Sequence, residues 1–148
     1  MKKIVLVVIA SLFFANVIKA QNPQLESIFE QYSDKKSFTY VYVNGSVNSI
    51  IPSHISNSIS TVNFTKILTY NGNVTDTIAK RVVTKIKGVL KSQNFELLVQ
   101  VKDAGDKVET YQKISDLGTE MILIIKDTTD LTIMWVYGKA NTSSKSSK

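Results

Sequence analysis

The stretch FELLVQVKDAGDKVETYQKISDLGTEMILIIKDTTDLTIMWVY, residues 95–137, decides the fold class of this chain. Phe95, Leu97, Val99 and Val101 fall at every second position and are expected to point inward, as one face of a strand does. Asp103-Ala104-Gly105-Asp106 then offers a tight turn into a second strand, Val108 to Ile114. Glu109, Gln112 and Lys113 predict that this second strand faces water. Asp116-Leu117-Gly118 leads to Met121–Ile125, which is apolar at every position and so is expected to be central. Asp127-Thr128-Thr129-Asp130 leads to the last strand, Leu131 to Tyr137. Four strands joined by short turns make a C-terminal antiparallel meander.

Working outward, the segment Asn73 to Phe95 changes period. Ile78, Val82, Ile86, Val89 and Leu90 recur at helical spacing, with Lys80, Arg81, Lys85, Lys87 and Lys91 mostly between them. Asn73 or Thr75 is expected to cap this helix, with Asp76 in its first turn. Before it, Val62 to Tyr70 reads as a strand stopped by Asn71-Gly72, and Phe38 to Val43 as another. Asn44 to Ser60, rich in Ser and Asn, reads as a loop holding a helical turn or two at most. After Pro23, the spacing of Leu25, Ile28, Phe29 and Tyr32 marks a short helix. The expected fold is α+β, two-layered, with helices packed on one face of a mostly antiparallel sheet.

The N-terminus reads as an address. Lys2 and Lys3, the apolar run Ile4 to Ala15, and the small residue Ala20 have the layout of a secretory signal peptide cut between Ala20 and Gln21. The apolar run, broken by Ser11 and Asn16, falls short of the roughly 20 residues that span a bilayer, so no stable membrane insertion is expected after cleavage. With no cysteine, neither a lipid anchor nor a disulfide can form. The expected organisation is a leader over 1–20, one domain over 21–138 and a disordered Ser/Lys tail over 139–148. The expected location is periplasmic or extracellular.

The net charge of +6 suggests an anionic partner until the charges are located. Of the 18 Lys and Arg residues, three lie in the leader and three after Gly138, which leaves 12 against the 12 acidic residues of the domain. A neutral body excludes a broad nucleic-acid surface. Lys80, Arg81 and Lys85 remain as weak candidates for an interaction patch, and Trp135 as a surface anchor if its face is exposed, though the core is its default. His54 is the only histidine, so no zinc site can be assembled, and beside Pro52 it reads as an exposed turn residue. Asp103, Asp106, Asp127 and Asp130 could pair as a glycosidase-like dyad or a calcium site, but all four occupy turns, where Asp serves its own backbone. No phosphate-cradling glycine loop is present, and the sequence implies no cofactor.

The strings Phe29-Glu30-Gln31-Tyr32-Ser33, Phe38-Thr39, Ile67-Leu68-Thr69-Tyr70, Phe95-Glu96-Leu97-Leu98, Val101-Lys102-Asp103 and Glu120-Met121, closing on Gly138, have a recognisable order and spacing. In these the chain resembles domain-of-unknown-function family 4252, short secreted or periplasmic proteins of Bacteroidota. The resemblance implies a compartment and a fold, and no activity. Two readings follow from the residues. The first is a non-enzymatic binding or interaction module of the cell envelope, holding an envelope protein or a small ligand. Outward apolar residues such as Tyr111 or Met134 would support it. The second is a carboxylate-dependent hydrolase of glycans or peptides, which two carboxylates converging in a pocket would support. The leader also sets a first test: N-terminal sequencing of protein recovered from the envelope should begin at Gln21, and a chain still carrying Met1 to Ala20 overturns cleavage.

Overall fold

The computed structural model describes residues 22–45, 53–57 and 59–140. The leader expected over 1–20 lies outside them, as do residues 141–148 of the expected tail. In chain order the elements are α1 (Pro23–Ser33), β1 (Phe38–Asn44), α2 (Ser53–Ser56), β2 (Ile59–Tyr70), α3 (Thr77–Ser92), β3 (Glu96–Asp103), β4 (Asp106–Ser115), β5 (Gly118–Lys126) and β6 (Leu131–Ala140). The strands form one six-stranded sheet in the order β1-β2-β6-β5-β4-β3, every neighbouring pair antiparallel. The fold is therefore α+β on a mostly antiparallel sheet.

Local chemistry accounts for the element ends. Pro23 opens α1, where its missing N–H costs nothing, and the Asn22 side chain accepts from Leu25 N at 3.2 Å as the N-cap. At α3 the cap differs from the expectation. Asp76 holds the N-cap position, but its carboxylate accepts from the Tyr70 hydroxyl at 2.6 Å, while the Asn73 side chain serves Thr75 N at 2.9 Å. Ala104 and Gly105 both take positive φ (44° and 99°), the two-residue loop whose twist suits a β3–β4 hairpin.

The main core lies between the sheet and the two long helices. Leu25, Ile28, Phe29 and Tyr32 of α1 and Ala79, Val82, Ile86 and Leu90 of α3 meet Phe64, Leu68, Ile122, Ile124, Ile133 and Trp135 of the sheet. Ile78, expected on the apolar stripe of α3, is exposed, because the stripe runs through Ala79 instead. Trp135 is fully buried, with its ring 5.1 Å from Phe64 edge-on and 5.7 Å from Phe29. Lys66 is buried too: it pairs with Glu26 of α1 and lies 5.2 Å from the rings of Phe64 and Trp135.

The opposite face carries a second cluster. Ile55 of α2 and Ile59 pack with Met121, Leu123, Met134 and Val136. The helices are thus not all on one face, since α2 sits across the sheet from α1 and α3. Met134 is buried and Tyr111 half-buried, so neither offers the outward apolar surface considered above. His54 on α2 is exposed at the residue level, yet its Nε2 lies 3.2 Å from the Thr110 hydroxyl of β4.

Two strands differ from their sequence reading. β3 is an edge strand with a bulge between Leu97 and Val99, and Leu97 and Val101 are about half exposed rather than inward. β4, expected to face water, is covered: Glu109 and Thr110 are buried. Both differences follow from sheet order, which a strand's own alternation does not encode.

β6 continues past Gly138 to Ala140 and pairs with the start of β2, where two bulges bend that strand. A Cβ at Gly138 would overlap the Thr61 carbonyl oxygen and the Ile59 side chain, so the crossing requires glycine. Gly138→Ala should therefore destabilise the fold by about 1–3 kcal/mol. Gly88→Ala, in mid-helix with nothing within 4 Å of the new methyl group, should stabilise it by about 1 kcal/mol in the same denaturant titrations. Equal effects at the two positions would refute the close approach.

Candidate functional site

A polar concavity opens where the first turn of α1 meets the end of α3. Its volume is about 260 Å³, and Asn22, Pro23, Gln93, Lys113, Ser115, Leu117, Glu120 and Tyr137 line it. Strand register builds its floor. Lys113 on β4 is directly opposite Glu120 on β5, and Glu120 is directly opposite Tyr137 on β6. Residues opposed in adjacent strands share a face, so the three side chains form one row beneath the helices.

The helix ends supply the roof. Gln93 caps α3, and its Nε2 donates to Asn22 Oδ1 and to Gln24 Oε1, both at 2.9 Å. Asn22 Nδ2 donates back to Gln93 Oε1. The two amides thereby clasp the positive end of one helix dipole against the negative end of another. Asn22 Nδ2 also reaches Glu120 Oε2 at 3.4 Å, and Lys113 Nζ reaches Gln93 Oε1 at 3.5 Å. Tyr137 donates its hydroxyl to the Leu117 carbonyl at 2.8 Å, which fixes the outer lip.

Glu120 is the chemically distinctive member. Burial pushes its carboxyl above the usual carboxylate range, and the Asn22 hydrogen bond and the Lys113 charge only partly oppose this. A carboxylate can accept about four hydrogen bonds. Among the described residues its hydrogen bond is the one from Asn22, at 3.4 Å, which leaves most of that capacity unused in a side chain that lines the cleft. The site can accept hydrogen bonds at Glu120, donate them from Lys113, and do either at the two amides. Among its lining residues Glu120 is the one carboxylate, so a pair of carboxylates does not converge here.

The residues singled out from the sequence lie elsewhere. Trp135 is in the core and presents no surface, which removes it as an anchor; α1 covers it through Phe29, and Phe64 of the neighbouring strand β2 meets it edge-on. Lys80, Arg81 and Lys85 are exposed along α3. They do not act together. Lys85 reaches across to α1, donating to Gln31 Oε1 at 2.9 Å, while Lys80 lines a separate hollow on the other flank with Lys126. The four turn carboxylates follow turn chemistry where bonds are seen, since Asp127 accepts from Thr129 N and Asp130 N, each at 2.6 Å. Backbone donors hold its pKa below the ordinary value. Among the described residues no group of three His, Cys, Asp or Glu side chains is placed to hold a metal ion.

Sequence reasoning passed over Glu120 except as part of a family string. A usable signal was present: in Gly118-Thr119-Glu120-Met121-Ile122-Leu123-Ile124-Ile125, one carboxylate stands in an apolar strand expected to be central. A charge there must be paired or must face a cavity. Gln93 and Asn22 gave no such signal, because their meeting depends on how two helices cross.

No curated protein matches the chain, and no solved structure does. A family model described as a domain of unknown function (DUF4252) matches residues 32–144, from the last turn of α1 to beyond the end of β6. That span covers all six strands and α3, and the chain therefore belongs to the DUF4252 family.

Proposed function

We propose that this protein is a non-enzymatic binding module of the cell envelope, delivered there by its N-terminal leader, and that the Glu120 cleft holds a small polar ligand. The observation that carries this reading is Glu120 itself, a buried acceptor facing a cavity with most of its hydrogen-bonding capacity unused. The complement of such a group is a hydrogen-bond donor, so the ligand is an amine- or amide-bearing small molecule. Its acceptor atoms would lie toward Lys113 and the amides of Asn22 and Gln93. Leu117, Pro23 and Tyr137 line the same cleft and supply its apolar contacts.

One observation favours the alternative, a carboxylate-dependent hydrolase. A carboxyl raised by burial is the kind of group that serves as a general acid near neutral pH. A glycosidase of the usual design needs a second carboxylate about 5–10 Å away, and the cleft lining offers amides and an ammonium instead.

Glycinamide and ethanolamine serve as probes in thermal-shift titrations of the protein. A ligand at 100 times its Kd should stabilise the wild type by about 2.7 kcal/mol, and Glu120→Gln should abolish the effect. Turnover of chromogenic glycosides or peptides, lost in Glu120→Gln, would replace this reading with the hydrolase.

The same substitution has a pH signature without any ligand. A carboxyl raised in the folded state stabilises folding only while protonated, and that contribution is lost as pH rises through the raised value. Glu120→Gln, always neutral, should melt at a higher temperature than wild type at pH 7, and the two curves should converge at acidic pH. A variant less stable than wild type at pH 7 would show instead that the carboxylate holds the helix ends together.

A further inference from the structure

Helix α3 has two flanks. Arg81, Lys85 and Gly88, at i, i+4 and i+7, lie on the side toward α1, where Lys85 and Gly88 line the groove between the two helices. Lys80, Thr84 and Lys87 form the other flank, toward β4 and β5: Lys87 Nζ lies 2.6 Å from Glu109 on β4, and Lys80 and Thr84 line a hollow with Lys126 on β5.

The sheet beneath that second flank carries a row of like charges. Lys102 on β3 is directly opposite Lys107 on β4, and Lys107 is directly opposite Lys126 on β5. Like charges directly opposed across strands destabilise a sheet. Alternation turns the neighbouring Asp103 and Asp106 toward the other face, so they do not offset the row. The carboxylate of Glu109 is the one acidic group identified within it. It lies 2.9 Å from Lys107 and 2.6 Å from Lys87. Burial alone would raise its pKa, yet hydrogen bonds from Lys87, Lys107 and Gln100 hold it at about 2. Two lysines, Lys87 and Lys107, meet this carboxylate, while Lys80 and Lys126 line the hollow beside it and Lys102 extends the row, in a domain whose total charge is balanced.

We propose that this corridor, between the Lys80–Thr84–Lys87 flank of α3 and the Lys126–Lys107–Lys102 row, is a binding site for a phosphate group carrying an apolar substituent. The ammonium groups supply the counter-charge, as Lys does for phosphate. The adjoining hollow, about 200 Å³ and walled by Val74, Ala79, Val83 and Leu131, takes the apolar part. The site is independent of the Glu120 cleft, which sits at the opposite end of α3.

Calorimetric titration of the protein in low-salt buffer tests it, with phenyl phosphate and inorganic phosphate as probes and anionic phospholipid vesicles as a third arm. Phenyl phosphate should bind more tightly than inorganic phosphate, and added salt should weaken both. The double variant Lys80→Gln/Lys126→Gln should lose at least tenfold in affinity, while Arg81→Gln, on the far flank, should bind as wild type does. Both variants avoid the Glu109 pairs, and unchanged thermal unfolding verifies that they fold. Vesicle binding with the same dependence on Lys80 and Lys126 would assign the phosphate to a lipid headgroup, whereas phenyl phosphate binding without vesicle binding would assign it to a soluble ester. Failure of the folded wild type to bind any probe overturns the proposal, as does an equal loss in Arg81→Gln, which would mean diffuse attraction.

Discussion

The docking of α1 on the sheet rests on a buried cation. Lys66 stands in the middle of β2 among Phe64, Trp135 and Tyr42, and pairs with Glu26 of α1. An ammonium taken out of water costs several kcal/mol unless it is paired, and here the ring faces and one carboxylate share that task. Because Glu26 is the partner, α1 cannot rotate or slide without exposing Leu25 and Phe29 and leaving Lys66 buried alone. This contact fixes where the first turn of α1 lies, and hence where Asn22 meets Gln93 and Glu120. The cleft is therefore a consequence of the core: its roof is placed by an ion pair formed one turn farther along the same helix.

The second constraint is sheet order. β2, β6, β5 and β4 occupy the interior, and β5 and β6 bury side chains on both faces, against the long helices on one side and against Ile55 and Ile59 on the other. A sheet filled on both faces has little room for charge except at its ends. Apart from the paired Lys66, the charged side chains of β3, β4 and β5 on the helix-covered face gather at its two ends: Lys113 and Glu120 at one, Lys102, Lys107, Glu109 and Lys126 at the other. Helix α3 spans the distance between them, with its N-terminal half above the lysine row and its C-cap above Glu120. One element thus serves two polar regions of different character.

The parts of this architecture legible in the sequence are those set by local chemistry. Pro23 starts a helix, Ala104-Gly105 makes a two-residue hairpin, and the unbroken apolar run of β5 marks a strand covered on both faces. What alternation could not disclose was which strand lies at an edge. β3 and β6 have similar patterns, yet Leu97 and Val101 are half exposed and Trp135 is fully buried, because β3 ends the sheet and β6 inserts between β5 and β2. The same gap explains the site. Glu109 reads as a solvated charge in a water-facing strand, and only the long-range pairing of β2 with β6, together with the crossing of α3 over β4 and β5, places it, Lys66 and Glu120 beneath helices.

Glu109 and Glu120 show how hydrogen-bond partners decide what a buried carboxylate costs. Both are buried carboxylates on the helix-facing side, one strand apart, and burial acts on both in the same direction. At Glu109 the bonds from Lys87, Lys107 and Gln100 reverse the effect, with the Tyr111 hydroxyl as a fourth donor, and the group is an ordinary internal ion cluster despite its depth. At Glu120 one long hydrogen bond and a neighbouring ammonium do not reverse it, so the ionised form remains costly in the folded state. A buried glutamine at that position would make the same bond to Asn22 with no such cost. A fold that keeps the carboxylate sacrifices stability at a cavity wall, and under the binding function proposed above a ligand that completes the missing hydrogen bonds would recover that sacrifice.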